Sequence, residues 1–308
     1  MIYTVTLCPA LDRTVFVDGF ALGKVNRILS ERKDPGGKGI NVSKTLSALG
    51  CESVAMGILG GTAGEYIVNR LEETGIAHDF VLSQKNTRTN LKVIDRQNRT
   101  TTDINESGFT DAAEAEALIE KLEKKLAPGD IVVIAGRIDT AALDIAEWIH
   151  RIVRKGARPF LDTEGEALKT GAAASPYLIK PNELELKQLT NVREDGIPAL
   201  TAAAEEIRQK YGIKVLALSL GERGAVFLAE EEGYFAEALR IRAVSTVGAG
   251  DSMMACLCFG VHEGLAFEKT CTLALAASAA AVECSGTQSP EKKRIEHLLP
   301  QVKLRRIK

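Results

Sequence analysis

Short apolar runs of strand length alternate with amphipathic segments of helical period along most of the chain. The runs Ile2–Leu7, Ser53–Ile58, Ile131–Ala135, Arg158–Asp162, Tyr177–Ile179 and Val215–Ser219 suit strands covered on both faces. Between them, Ile40–Gly50, Glu65–Thr74, Asp111–Leu126, Ala141–Lys155 and Ala199–Tyr211 carry helical periodicity. Thr110-Asp111 precedes one of these helices, Pro128-Gly129 follows it, and Gly156 closes the next. The pattern predicts an α/β fold, a mostly parallel sheet between two layers of helices.

Two stretches break the rhythm. Thr14–Ser30 and Asn90–Ile104 predict consecutive strands joined by turns, at Gly19 to Gly23 in the first and Gln97-Asn98 in the second. They imply a small antiparallel sheet set off the core, a lid from about 13–33 and 88–105 on a single domain spanning 1–308. Its apolar positions, Val15, Val17, Ile28, Leu91 and Val93, are expected to face a second copy of the chain. The basic run Lys303–Lys308 predicts a solvated tail.

Composition narrows the classes of partner. The chain has 308 residues, 39 Lys plus Arg against 41 Asp plus Glu, and a net charge of −2. No global basic bias draws it to nucleic acid or an anionic membrane, so an anionic substrate needs a locally built basic pocket. The apolar stretch Cys271 to Val282 is shorter than the roughly 20 residues that cross a bilayer, and its small residues predict a packed helix. The first residues read as a buried strand, with no export leader expected. Six cysteines without a C-x-x-C pair, and only four histidines, fit reduced thiols in a cytoplasmic protein.

Two glycine-rich elements carry the chemistry. In Ser245-Thr-Val-Gly-Ala-Gly-Asp251, small residues at 248 to 250 allow a tight turn before an apolar helix. Successive amides and the helix dipole then make an anion hole. A carboxylate at its mouth, Asp251, suits a base for a phosphoryl-acceptor hydroxyl, although a capped helix start has the same residues. In Pro35-Gly-Gly-Lys-Gly-Ile-Asn41, the glycines permit close approach to a ligand, Lys38 offers a cation, and Asn41 both donates and accepts. This is neither a dinucleotide fingerprint nor a Walker loop.

Together these elements resemble the PfkB carbohydrate kinases of the ribokinase superfamily, from Met1 to about residue 300. Residues 36 to 50 are similar to the family's N-terminal signature and residues 245 to 255 to its C-terminal one. Lys180-Pro-Asn182-Glu-Leu-Glu185 is similar to its N-x-x-E motif, and Ser219-Leu-Gly221-x-x-Gly224 to its nucleotide-side loop. Thr6-Leu-x-Pro-Ala-x-Asp12, the G-G-K-G-x-N form and Thr87-Arg88-Thr-Asn90 resemble the 1-phosphofructokinase and tagatose-6-phosphate kinase branch.

The resemblance implies a ribokinase-like three-layer α/β/α core with a β lid, and ATP and Mg²⁺ as cofactors. It makes Asp251 the base and the amides of Gly248, Ala249 and Gly250 the anion hole. Asn182 and Glu185 would organise Mg²⁺ through water, while Lys180, Ser219, Gly221 and Gly224 would border ATP. On the sugar side it places Asp12, Gly37 and Asn41, with Lys38 and Arg88 holding a substrate phosphate and Arg27 reaching a neighbouring subunit's site.

Three positions depart from the branch pattern: Cys8 replaces Asn, Ala135-Gly136-Arg137 replaces S-G-S, and Cys256 replaces Ala or Gly. Arg137 emerges where strand ends line ligand crevices, so contact with the substrate's phosphate is expected, tilting away from ordinary fructose-1-phosphate chemistry. The expected reaction is ATP-dependent phosphorylation of tagatose 6-phosphate or fructose 1-phosphate by a homodimer joined through the lid. A kinase of an unphosphorylated sugar or nucleoside is the nearer alternative; a sugar-phosphate-binding regulator without catalysis is the other. The cations Lys38, Arg88 and Arg137 weigh against the first, and Asp251 against the second.

Overall fold

The protein's structure, a computed structural model, describes residues 1–108, 110–190 and 192–308. The first eight strands are β1 (Ile2–Thr6), β2 (Ala10–Val17), β3 (Ser30–Gly36), β4 (Val54–Leu59), β5 (Ala77–His78), β6 (Val81–Leu82), β7 (Arg88–Asp95) and β8 (Thr100–Asn105). There follow β9 (Ile131–Ala135), β10 (Arg158–Asp162), β11 (Leu178–Ile179), β12 (Val215–Ser219), β13 (Ala225–Leu228), β14 (Gly233–Ala236) and β15 (Leu304–Arg306). The helices are α1 (Lys38–Leu49), α2 (Gly61–Glu73), α3 (Ala112–Glu123), α4 (Ile145–Arg154), α5 (Gly165–Ala173), α6 (Glu183–Leu189), α7 (Ile197–Lys210), α8 (Ala249–His262), α9 (Phe267–Val282) and α10 (Lys292–Leu298).

Among the described residues the main sheet has 11 strands, in the order β15-β14-β13-β12-β11-β10-β9-β1-β4-β5, with β6 also on β4. From β4 across to β12 all pairs are parallel. The apolar runs fold this way because both faces are covered. In β9, Val132 and Ile134 pack with α3, α4 and α7, while Ile131 and Val133 pack with α1, α8 and α9. This is the three-layer α/β/α core expected from the alternation.

Local chemistry moves some boundaries. The helix expected from Ala141 starts at Ile145, because the Asp144 carboxylate accepts the amides of Ala146 and Glu147. The basic terminal run is no solvated tail, since β15 pairs antiparallel with β14 and closes that edge. Lys308 bonds Glu205 and the Ala229 carbonyl, and the Arg305 guanidinium lies 5.3 Å from the Phe235 ring centre.

The second sheet, β3-β2-β7-β8, is built from 10–36 and 88–105, close to the bounds expected of the lid. It begins three residues earlier than expected because β2 leaves β1 after only Leu7 to Pro9. Its pairing is antiparallel for β2–β3 and β7–β8 but parallel for β2–β7. Register aligns Asp34, Asp12, Asn90 and Asn105 in one polar row.

On the opposite face the expected apolar set is already covered by its own chain. Val15, Val17 and Val93 are buried with Phe20 and Leu91 against them. The covering loop, 18–29, is held by Asp95, which accepts the amides of Gly19, Phe20, Gln97 and Asn98. Ile28 lies in that loop and not on the sheet, and it is exposed with Leu22, Val25 and Leu29.

Burial opposes the charge of Asp95, but these donors outweigh it and bring its pKa down to about 2. A carboxylate so depressed contributes stability present above its unfolded pKa, and loses it as pH falls towards 2. Asp95→Ala should therefore speed amide exchange and protease nicking within 18–29 and 96–99 at neutral pH. Exchange in β9 and β10 should stay unchanged. Unaltered exchange in both loops would show that Asp95 does not organise them.

Candidate active site

A cavity of about 510 Å³ opens between the lid's polar row and the C-terminal edge of the parallel strands. In open α/β sheets that edge collects ligands. Its floor is the start of α8. Gly248 caps the helix at φ 85, a left-handed conformation that disfavours a side chain, and the next amides are first-turn donors for which a helix supplies no internal acceptor. Asp251, in that first turn, is 7% exposed, and its Oδ2 accepts a 2.8 Å hydrogen bond from Asn41 Nδ2 on α1. Burial pushes its pKa up to about 6, and the nearby Asp162 charge adds to the rise. The Asn41 bond, Lys38 and Lys180 oppose it. The carboxylate is thus ionised at neutral pH yet basic enough to take a proton.

Asp162, the last residue of β10, is one of two residues that sequence reading missed. It is 1% exposed, with Lys38 Nζ 2.8 Å from Oδ1 and Lys180 Nζ 3.0 Å from Oδ2. Burial works against its charge, but the two ammonium groups outweigh it and hold the pKa below the usual carboxylate range. The Lys38 pKa is raised: burial opposes its charge, but Asp162, Asp251 and Glu185 together prevail. A carboxylate directly after the apolar run 159–161 at the end of a strand was the available signal. Lys38 and Lys180, assigned from sequence to different ligands, are here joined through one acid.

Under the lid, Asp12 Oδ1 accepts from Asn90 Nδ2 at 2.8 Å, and Asn90 Oδ1 accepts from Arg88 Nη1 at 3.0 Å. Arg88 Nε is buried and has no hydrogen-bond partner among the described residues. Burial raises the Asp12 pKa, against the Asn90 bond and the charge of Lys44. Arg137 lines the same cavity, and nearby Asp139 is turned to the Ala141 amide.

Lys44, one turn along α1 from Asn41, was also missed. Its Nζ donates to Asn41 Oδ1 at 3.1 Å, to the Thr287 carbonyl at 3.3 Å and to the Pro35 carbonyl. The first of these bonds turns the Asn41 NH₂ group towards Asp251. Burial brings its pKa down to about 8, although Asp34, Asp12 and Asp251 favour the charge.

Towards the other end, Asn182 and Glu185 form a capping box at α6. The Asn182 amide donates to Glu185 Oε2 at 2.8 Å, and the Glu185 amide to Asn182 Oδ1 at 2.9 Å. Burial raises the Glu185 pKa. Ser219 ends β12 and bridges to Asn182.

Of the residues singled out from sequence, Asp12, Gly37, Lys38, Asn41, Arg88, Arg137, Lys180, Asn182, Glu185, Ser219, Gly248, Gly250 and Asp251 line this one cavity. Ala249 sits between two of them in the first turn of α8. Gly221 and Gly224 lie outside, in the β12–β13 turn, where a Cβ on Gly224 would collide with the Ala236 carbonyl. Close approach to β14 explains that glycine without a nucleotide. Arg27 is exposed in loop 18–29 and does not reach the cavity of its own chain.

A profile described as pfkB family carbohydrate kinase matches residues 5–294. A curated 1-phosphofructokinase of Bacillus subtilis (strain 168) is 34% identical over 100% of both chains. The structure of phosphofructokinase-2 from Escherichia coli in complex with fructose-6-phosphate is 26% identical, with a TM-score of 0.89 over 97% of this chain and 98% of that one. A ribokinase from Thermotoga maritima, 20% identical with a TM-score of 0.78 over 97% and 99% of the two chains, shares the fold.

Lys44→Met should lower kcat/KM for the acceptor roughly 10- to 100-fold, the scale of a lost charged hydrogen bond. It should also remove an alkaline limb with its midpoint at about 8, where the ammonium loses its proton and three carboxylates lose a shared cation. Rate–pH curves of both proteins check this. The same alkaline limb and the same kcat/KM in the variant would exclude Lys44 from the site's working.

Proposed function

We propose fructose 1-phosphate as the acceptor for this chain, which belongs to the pfkB family of carbohydrate kinases and is an ATP-dependent ketohexose-phosphate kinase. The observation that carries the reading is Asp251, a buried carboxylate with its pKa near 6 beside an amide-lined helix start. Binding alone needs no such base. The 1-phosphofructokinase name of the full-length Bacillus subtilis relative supports fructose 1-phosphate over tagatose 6-phosphate.

In the proposed reaction Asp251 accepts the proton of the attacking hydroxyl, aligned by Asp12 and Asn41. The first-turn amides of α8, at Gly248, Ala249 and Gly250, face the charge that moves during transfer, with Lys38 and Lys180 beside them. Arg88, whose Nε has no partner among the described residues, and Arg137 hold the phosphate already on the sugar. ATP enters on the Lys180 and Ser219 side.

Mg²⁺ would offset the triphosphate charge. Glu185 and Asn182 would hold it through water, and oxygen donors with one Glu185 oxygen outside the cap suit a hard cation. A homodimer through the lid is part of the proposal, supported by the exposed Leu22, Val25, Ile28, Leu29 and Ile104, with Arg27 among them. Six free cysteines support a cytoplasmic location.

Coupled ADP release should be fastest with fructose 1-phosphate among that sugar, tagatose 6-phosphate, fructose 6-phosphate and free fructose. Asp251→Asn should lower kcat by roughly 10²–10⁴ while ATP binding persists. Preference for another of the four sugars would overturn the acceptor. Turnover of Asp251→Asn within tenfold of the unaltered protein would remove the base.

A further inference from the structure

The two helices whose N-termini build the active site, α1 and α8, pack side by side. Their C-termini therefore meet on the far side of the molecule. Both ends are closed by the same device. The Cys51 amide donates to the Leu46 carbonyl at 2.9 Å, past Gly50 at φ 82. The Leu265 amide donates to the Gly260 carbonyl at 2.9 Å, past Gly264 at φ 64. The chain is thus held firmly where it leaves each helix.

Three donors of different chemistry converge there. Cys51 Sγ, an imidazole nitrogen of His262 and a carboxylate oxygen of Glu263 all lie within 4.8 Å of one another. Cys51 is buried, and the other two are exposed. Around tetrahedral zinc, bonds of about 2.3 Å to sulfur and about 2.0 Å to nitrogen put the two ligand atoms about 3.6 Å apart. Closing the present triangle around an ion needs side-chain adjustment of about an ångström. Two helix C-termini also aim their partial negative charge at the spot, which favours a cation.

We propose that Cys51, His262 and Glu263 form a binding site for a borderline-soft divalent cation of the zinc class, with water in the fourth position. Thiolate and imidazole disfavour the hard Mg²⁺ of phosphoryl transfer, so this site is distinct in chemistry as well as place. The ion clamps the far ends of α1 and α8, and so fixes the pair whose near ends carry Asn41 and Asp251. Along the shared face, Thr45 Oγ1 and Ser252 Oγ already meet at 3.2 Å.

Cobalt(II) reports on such a site directly, through a thiolate charge-transfer band and the strong visible bands of tetrahedral geometry. Chelator-treated protein titrated with Co²⁺ should develop both at one equivalent, and Zn²⁺ should bleach them. Cys51→Ser should abolish the charge-transfer band. His262→Gln and Glu263→Gln, at exposed positions, should each weaken Co²⁺ binding at least tenfold, the scale reported when a metal's supporting groups are lost. Thermal melting of the unaltered protein should rise with Zn²⁺ and that of Cys51→Ser should not. No thiolate band, or a band that persists undiminished in Cys51→Ser, would overturn the proposal.

Discussion

One buried charge cluster constrains the rest of the structure. Asp162 ends the central strand β10 at 1% exposure, and it is tolerable there only because Lys38 and Lys180 reach it from α1 and from the end of β11. The three residues come from separate elements, so satisfying the acid fixes how α1 sits against the sheet edge. Asp251 feels every member: Asp162 raises its pKa, and the two lysines lower it. An acid held below the usual carboxylate range by the two cations beside it leaves the second acid tunable, a division of roles common where two carboxylates share a site.

The architecture delivers those groups with little irregular backbone. Two helix starts face one another across the Asn41–Asp251 bond, and Lys44 fixes the orientation of the amide between them. The lid closes the cavity with one aligned polar row, while loop 18–29, tied to Asp95, keeps its apolar face dry. The site is thus a meeting of rigid elements, which suits transfer chemistry that depends on position and charge.

Most of the fold was legible because buried parallel strands and amphipathic helices leave strong periodic signals. The glycine-rich motifs singled out Asn41, Gly248, Gly250 and Asp251, which the structure brings to one cavity. What escaped were features decided by tertiary partners. β15 is a basic run whose role depends on the open edge of β14, and the apolar lid face is satisfied by Phe20 from a loop. Asp162 ends a strand outside every motif, and Lys44 lies within residues 36 to 50 but at a helical position that the G-G-K-G-x-N form does not include. Asp162 matters through Lys180, 18 residues away, and Lys44 through Asn41 one turn away and the sequence-distant Thr287 carbonyl. Gly224 shows the converse, a motif glycine whose place is explained by packing against β14.

The central claim is that Asp251 is the base and that its proton affinity is set by the charges around Asp162. The most direct measurement is kcat/KM against pH for the unaltered protein and for Lys38→Met. Because the carboxylate must be ionised to accept a proton, the rate should rise with pH through a midpoint of about 6 in the unaltered protein. Lys38 lowers that pKa, so its removal should move the midpoint upward, whereas ionisation of the substrate is the same in both proteins. A midpoint that shifts up with Lys38→Met supports the account; identical midpoints, or a rate flat down to about pH 4 where ordinary carboxylates titrate, would contradict it.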